Sequence, residues 1–139
     1  FADALAAFRE ALRHEPSNTG IEVNLGIVFD KLGRAEEAHR CFARAMENGE
    51  RSGFVYNALG CHHARLNRID EAVACFAKAV ELEEKALYYQ NLGLACERMR
   101  LFDKAAEAYE RMARIDEQAA SFARERLAHL RTAAAVSER

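Results

Sequence analysis

Cys61, His62 and His63 are the residues whose types most readily suggest chemistry, because thiolate and imidazole groups bind transition metals. Consecutive residues of a helix point about 100° apart, so three adjacent side chains do not converge on one ion. The chain supplies no C-x-x-C or H-x-x-x-H partner that would complete a site. We therefore expect one packed cysteine, two partly exposed histidines, no bound metal and no other cofactor.

Groups that could catalyse a reaction are poorly placed in this sequence. No serine lies in a G-x-S-x-G motif, and no glycine-rich phosphate loop is present. Glu36-Glu37 and Asp70-Glu71 begin predicted helices, where the helix dipole favours carboxylates. We expect no catalytic residues, and we predict that the chain is not an enzyme. Arg40 and Arg44 are expected to form solvated pairs within their own helix, with Glu36, Glu37 and Glu47.

The most informative feature of the sequence is an internal repeat, which fixes the spacing of its glycines, alanines and aromatic residues. Leu-Gly pairs at Leu25-Gly26, Leu59-Gly60 and Leu92-Gly93 recur after 34 and then 33 residues. An alanine follows each glycine by twelve residues, and an aromatic residue follows that alanine by four: Ala38 and Phe42, Ala72 and Phe76, Ala105 and Tyr109. Residues 1–16 repeat the second half of this pattern. Each unit therefore reads as two amphipathic helices, with small residues where the helices approach closely.

This pattern resembles the tetratricopeptide repeat family, of the prokaryotic scaffold type, over roughly residues 1–117. Glu22 departs from the family's aromatic position, which Tyr56 and Tyr89 keep. The resemblance implies an all-α, right-handed superhelical solenoid of antiparallel helix hairpins, with about eight helices. The expected units are the second helix of a truncated repeat (1–18), three repeats (19–52, 53–85, 86–118) and a capping helix with a frayed tail (119–139).

Helix boundaries follow from the same pattern. The expected helices are 1–13, 19–32, 35–48, 53–66, 69–82, 86–99, 102–115 and 119–134. Gly33 and Asn67 fall in the short turns between paired helices, where these residue types tolerate a left-handed backbone. Arg100 occupies the third such turn, where a left-handed backbone would cost about 1–2 kcal/mol. The last helix carries Ala123 and Leu130 on an apolar stripe, which is typical of a cap.

Composition narrows the possible partners. A net charge of −2 lacks the basic footprint of a nucleic-acid binder. No apolar run approaches the roughly 20 residues of a membrane span, so we expect no membrane insertion. Four cysteines without paired spacing indicate reduced thiols and a cytoplasmic location. Because the chain opens on Phe1, we expect a fragment of a longer protein, whose targeting segment, if any, lies elsewhere.

The resemblance implies that the first helix of each hairpin lines a concave groove that binds a partner protein or peptide. The matching positions are Val23, Ile27, Asp30, Phe54, Asn57, Cys61, Arg65, Leu87, Gln90, Leu94 and Arg98. Apolar residues at these positions would face water, which favours an apolar or amphipathic ligand. One branch of the family grips carboxylates with cations. Val23, Ile27, Ala58, Leu87 and Asn91 stand at those places, so we expect no such clamp.

Two alternative functions stay open at this point. The first helix lacks its hairpin partner, and an uncovered stripe of Leu5, Phe8 and Leu12 could drive open-ended self-assembly into homo-oligomers. The chain could also be the regulatory arm of an enzyme whose catalytic domain lies outside it.

Overall fold

Eight α-helices account for nearly all of the computed structural model, which describes residues 1–137. Their bounds are α1 Ala2–His14, α2 Thr19–Lys31, α3 Ala35–Glu47, α4 Gly53–Arg65, α5 Ile69–Leu82, α6 Ala86–Arg98, α7 Phe102–Ile115 and α8 Ala120–Ser137. A short 3₁₀ turn, Glu117–Ala119, precedes α8, and the described residues contain no strand. The all-α prediction is confirmed. The expected tail of the last unit reaches residues 138 and 139, which lie outside the described residues.

Each hairpin is locked by an aromatic ring that sits on a glycine. A Cβ atom added at Gly60 would lie 2.5 Å from Cε1 of Phe76. Gly26 stands in the same relation to Phe42, and Gly93 to Tyr109. Hairpins α2–α3, α4–α5 and α6–α7 therefore close by the same contact, because only glycine leaves room for the ring. The repeat in the sequence is thus a repeat of one packing unit.

The turns inside the three hairpins lie where the sequence places them, and each has a residue with a left-handed backbone. The φ angles are 75° at Gly33, 59° at Asn67 and 59° at Arg100. Gly49, with φ of 96°, was not predicted; it lies between the first and second hairpins. Arg100 is neither glycine nor asparagine, so its turn carries backbone strain of about 1–2 kcal/mol.

Carboxylates that follow α3 and α5 bond to the start of the first helix of the same hairpin. The Glu50 carboxylate accepts hydrogen bonds from the Thr19 hydroxyl at 2.5 Å and the Ser52 backbone N–H at 3.2 Å. Hydrogen bonds from Ser52 and then Thr19 lower the pKa of Glu50. Glu83 accepts from the backbone N–H of Gly53 at 3.1 Å. These acidic side chains satisfy donors at the start of α2 and α4.

The predicted surface pairs of α3 are only partly correct. Arg40 pairs with Glu36 one turn away at 3.6 Å, as expected. Arg44 instead reaches Glu22 on α2 at 3.4 Å, so its predicted pairing within α3 is wrong. Glu22, which replaces the family's aromatic residue, is buried and adjoins Cys41. Burial, reinforced by the Glu22 charge, raises the pKa of the Cys41 thiol to about 12.

The apolar stripe of α1, formed by Leu5, Phe8 and Leu12, is less exposed to solvent than expected. Leu5 is only 8% exposed and belongs to the same core cluster as Val23 and Phe29 of α2. Phe8 and Leu12 are half-buried against that cluster. The residues named as uncovered are therefore partly or wholly covered by α2. Self-association through this end stays a prediction, but it loses the stripe that motivated it.

The last helix closes the solenoid as a cap. Ala123 and Leu130 are buried against α7, and the outer face of α8 is polar. Arg126 forms an ion pair with Glu97 of α6, and its Nε donates to Glu97 Oε1 at 2.9 Å. The Tyr109 hydroxyl donates to the same carboxylate oxygen at 2.7 Å. Burial alone would raise the pKa of Glu97, but these hydrogen bonds outweigh it and lower the pKa.

Candidate functional site: the concave groove

The first helix of each hairpin (α2, α4 and α6) carries the predicted groove residues, eleven in all. α2 contacts α4, and α4 contacts α6, so equivalent positions of successive repeats lie on neighbouring helices. Asn18 caps α2 by accepting from the N–H of Ile21, and Ser52 caps α4 by accepting from the N–H of Val55. A side-chain cap thus defines the start of α2 and of α4, whereas α6 begins after Lys85 without one.

Four apolar groove residues keep exposed surface. Ile27, Phe54 and Leu94 are half-buried, and Leu87 is 56% exposed. Ile27 and Phe54 also pack against the core cluster of the first hairpin, and this packing limits the orientations of their side chains. An apolar side chain held in this way offers contact area with little loss of rotamer entropy on binding.

Val23 is not available to a ligand, and its predicted exposure is wrong. Its side chain is 0% exposed and belongs to the core cluster that contains Leu5 and Val55. Residues of α1 and α4 therefore share its surroundings on two sides. Asn57 and Gln90, which stand at the same register in later repeats, are half-buried and polar. The first repeat thus contributes Ile27 alone to the apolar surface.

A polar pair lies at the centre of the predicted groove. The Asn91 side-chain amide donates to Asn57 Oδ1 at 2.8 Å, which links α6 to α4. The same amide nitrogen lies 4.0 Å from the half-buried Cys61 Sγ. Burial raises the pKa of the Cys61 thiol, although the nearby Arg65 opposes the shift. Cys61 therefore stays a neutral thiol near physiological pH and presents a weakly polar surface.

Cations recur at the end of each first helix. Arg65 donates to the backbone carbonyl of Asp30 at 3.3 Å, and Arg98 donates to Asn67 Oδ1 at 2.9 Å. Each side chain thus reaches back to the preceding hairpin. Lys31 occupies the equivalent position in the first repeat and is exposed, which the sequence analysis missed. Counting 34 residues back from Arg65 would have identified it.

Asp30 was predicted to line the groove, but it is buried and paired with a histidine. Its side chain lies at the seam between the first two hairpins, 2.7 Å from Nδ1 of His62. The expected exposure is therefore wrong for His62, which is 1% exposed, and for Cys61, which is only half-buried, whereas His63 is partly exposed as predicted. His63 lies 3.0 Å from Glu71, although the geometry makes no hydrogen bond. Burial lowers the pKa of His63.

The described residues contain no cluster of three or more side chains that could hold a metal ion. All four cysteines are free thiols in this structure. No helix within residues 1–137 is both long enough and apolar enough to cross a lipid bilayer.

Two family models cover most of the chain. Both describe the tetratricopeptide repeat; one matches residues 1–59 and the other residues 57–120. The chain belongs to the tetratricopeptide repeat family. No curated protein sequence matches it at a comparable level of significance. The family assignment agrees with the observed fold, in which three helix hairpins repeat the same contact between a glycine and an aromatic ring.

Solved structures of other tetratricopeptide repeat proteins share this fold. The crystal structure of MamA is 25% identical, with a TM-score of 0.69, over 87% of this chain and 75% of that one. The first such domain of Spaghetti (RPAP3), bound to the HSP90 peptide SRMEEVD, is 20% identical, with a TM-score of 0.75, over 84% of this chain and 93% of that one. YrrB, described as having an unusual peptide-binding site, is 23% identical, with a TM-score of 0.66, over 81% of this chain and 59% of that one.

Proposed function

We propose that this tetratricopeptide repeat chain is a protein-interaction module that binds an apolar or amphipathic segment of a partner in its concave groove. The observation that carries the proposal is the set of apolar side chains with exposed surface on three successive first helices. Ile27, Phe54 and Leu94 come from α2, α4 and α6, and Leu87 adds a fourth on α6. Exposed apolar surface held by rigid helices usually marks an interaction site.

The polar groups of the groove suit an extended peptide backbone. Asn57 and Asn91 share one hydrogen bond, which leaves the Asn57 amide donor and the Asn91 carbonyl acceptor for a ligand. Arg65 and Arg98 add positive charge at one edge. The peptide complex of Spaghetti and the peptide-binding site of YrrB support a peptide ligand for the present chain.

The ligand differs in chemistry from an acidic peptide that is gripped through its carboxylates. Val23, Ile27, Ala58, Leu87 and Asn91 stand where the resembled branch of the family places its clamp, and none of these side chains is a cation. Apolar anchors therefore provide most of the affinity. We expect dissociation constants on the order of micromolar and a weak dependence on salt.

The test is a selection of peptides from a random dodecapeptide phage library, followed by fluorescence anisotropy with the selected peptides. A Leu87→Glu, Leu94→Glu double variant is expected to weaken binding at least tenfold, because it places two charges among the apolar anchors. Leu82→Glu is the matched control, since Leu82 is also exposed but ends α5, a second helix.

Circular dichroism must first show that both variants keep the helical content of the wild type. If the selected peptides bind the double variant and the control equally well, the groove is not the binding site. Enrichment of peptides without apolar residues would contradict the proposed ligand chemistry.

A further inference from the structure

A second cavity lies away from the concave groove, at the seam between the first two hairpins. Its volume is about 530 Å³, and its walls come from the start of α3 and the end of α4 with the following turn. The polar and apolar lining includes Glu36, His39, Arg40, His62, Leu66 and Arg68. None of these residues belongs to the predicted groove.

His62 forms the buried wall of this cavity in a fixed orientation. Its Nδ1 lies 2.7 Å from Oδ1 of Asp30. A carboxylate only accepts hydrogen bonds, so Nδ1 carries the proton and Nε2 is the ring nitrogen left for a ligand. The His39 ring stacks on His62, with ring centroids 5.8 Å apart. Asp30 is therefore a positioning residue for the imidazole.

The Asp30–His62 pair is not required at every seam of the solenoid. Val28 and Ala95 occupy the register of His62 in the other repeats, and Ala64 and Glu97 occupy that of Asp30. Glu97 pairs with Arg126 of α8, so a carboxylate pair recurs at the last seam, whereas small residues pack the middle one. A buried polar pair stabilises a protein little compared with apolar packing of similar volume. Of these seams, the first is the one whose pair includes an imidazole that lines a cavity.

Positive charge converges on the cavity from two hairpins. Arg40 lies on α3, and Arg68 stands at the N-cap position of α5. The first turn of α3 adds backbone N–H groups, because its N-cap residue, Arg34, offers no side-chain cap. Glu36 opposes this charge from the same wall. The ion pair between Glu36 and Arg40, at 3.6 Å, is exposed to solvent and therefore weak. Arg40 can leave Glu36 and bind an anion that carries two charges.

We propose that this cavity binds a phosphate monoester, with Arg40 and Arg68 holding its oxygens. In the complex His62 carries a second proton at Nε2 and donates it to a phosphate oxygen from the buried wall. Guanidinium groups match the geometry of phosphate oxygens, and two of them together with an imidazolium suit a dianionic phosphate better than a singly charged carboxylate ligand. The proposal uses no residue of the concave groove, so its failure leaves the peptide-binding proposal intact.

The first experiment measures binding of four probes by isothermal titration calorimetry: inorganic phosphate, O-phosphoserine, a phosphoserine-containing alanine hexapeptide and acetate. Phosphate is expected to bind with a dissociation constant on the order of millimolar or tighter, and acetate at least tenfold more weakly. Equal binding of free phosphoserine and hexapeptide indicates a small-molecule source. Preference for the hexapeptide indicates a phosphorylated partner protein. Either result supports the phosphoryl site.

The second experiment uses charge variants of opposite expected sign. Arg68→Gln is expected to weaken phosphate binding about tenfold, because it removes a charge-assisted hydrogen bond. Glu36→Gln is expected to strengthen it, because the opposing carboxylate is gone. Arg124→Gln is the matched control, since Arg124 is exposed on the distant α8 and changes the net charge equally.

The third experiment separates the imidazole wall from the arginines, with sulfate as a second dianionic probe. An Asp30→Ala, His62→Val double variant restores residue types found at these registers in the chain. It is expected to weaken the binding of sulfate and phosphate, because it removes the donor at Nε2 and leaves Arg40 and Arg68 in place.

Three results would overturn the proposal. One is the absence of phosphate and sulfate binding at 10-fold above the expected dissociation constant. Another is equal affinity for phosphate and acetate. The third is phosphate affinity that Arg68→Gln and Arg124→Gln change by the same factor. Arg68 is exposed, so this last comparison stays informative even if the double variant fails to fold.

Discussion

The contact between a glycine and an aromatic ring is a place in each hairpin where the identity of a single residue decides how closely the two helices can pack. The three rings, Phe42, Phe76 and Tyr109, occupy space that any Cβ on the facing glycine would enter. Helix propensity alone would favour alanine over glycine by about 1 kcal/mol at these mid-helix positions. The close approach reverses that preference, because the ring must move before a methyl group fits.

Gly60→Ala is therefore expected to lower the free energy of unfolding by about 1–3 kcal/mol, through overpacking against Phe76. Urea denaturation followed by far-UV circular dichroism measures the change. Gly20→Ala is the control, because a Cβ there meets only Asn18 Oδ1, at 3.4 Å, and the change is expected to be neutral or stabilising. Equal stability of the two variants would mean that the ring contact is not tight.

A second residue-scale prediction concerns the buried pair at the first seam. His62→Ala leaves the Asp30 carboxylate buried without its partner and is expected to destabilise the fold by about 3 kcal/mol. The Asp30→Ala, His62→Val double variant removes both groups and is expected to recover most of that loss. Thermal denaturation of the three proteins is the measurement. A double variant that is no more stable than His62→Ala would contradict a buried, unpaired Asp30 carboxylate as the source of the loss.

At the scale of elements, the hairpin turns depend on backbone conformation more than on contacts. No atom lies within 4 Å of a Cβ built at Gly33, yet its φ of 75° disfavours any residue with a Cβ. Gly33→Ala is expected to destabilise the fold by about 1 kcal/mol through this strain alone. Chemical denaturation checks the value.

Arg100 offers the reverse experiment at the equivalent turn, since its φ is also left-handed. Arg100→Gly is expected to stabilise the fold by up to about 1 kcal/mol, less the contact of its guanidinium with the Phe102 ring. A destabilising result would show that the contacts of the Arg100 side chain together outweigh the backbone strain.

A carboxylate after the second helix also closes each of the first two hairpins. Glu50 and Glu83 accept hydrogen bonds from groups at the start of α2 and α4. Donors at a helix start have no partner within the helix, so a carboxylate there satisfies them. These partners are distant in the chain and are visible only in the folded structure.

At the scale of the whole molecule, stability depends on how each end of the solenoid is closed, because every hairpin contacts only its neighbours. Glu97 ties α8 to α6 and α7 through Arg126 and Tyr109. Glu97→Gln is expected to lower the free energy of unfolding by about 2 kcal/mol, because it weakens charge-assisted hydrogen bonds. Hydrogen exchange is expected to show the largest loss of protection in α8.

The same carboxylate gives the protein a defined acid sensitivity. The pKa of Glu97 is lower in the folded protein than its ordinary value of 4.5, so the folded state binds this proton less readily than the unfolded state. Its contribution to stability is therefore fully present above pH 4.5 and is lost as the pH falls through the folded-state pKa. The wild type is expected to lose more stability than Glu97→Gln over this range, as measured by thermal denaturation.

The sequence by itself determined the fold of this protein. The spacing of Leu-Gly pairs, alanines and aromatic residues predicted eight helices, and α5 and α7 begin and end where it placed them. It also placed Arg100 in the third hairpin turn, at the position equivalent to Gly33 and Asn67, and all three residues have a left-handed backbone. The helix boundaries and the turns depend on local periodicity and on contacts that recur in every repeat. The repeat pattern of the sequence is therefore enough to predict them.

Only the tertiary structure decided which residues are accessible. Val23 shares its register with Asn57 and Gln90, yet residues from α1 and α4 bury it. Asp30 and His62 lie 32 positions apart and meet only because adjacent hairpins pack with this particular offset. The repeat specifies what successive hairpins share, whereas exposure and pairing depend on the neighbouring side chains, which differ from one seam to the next.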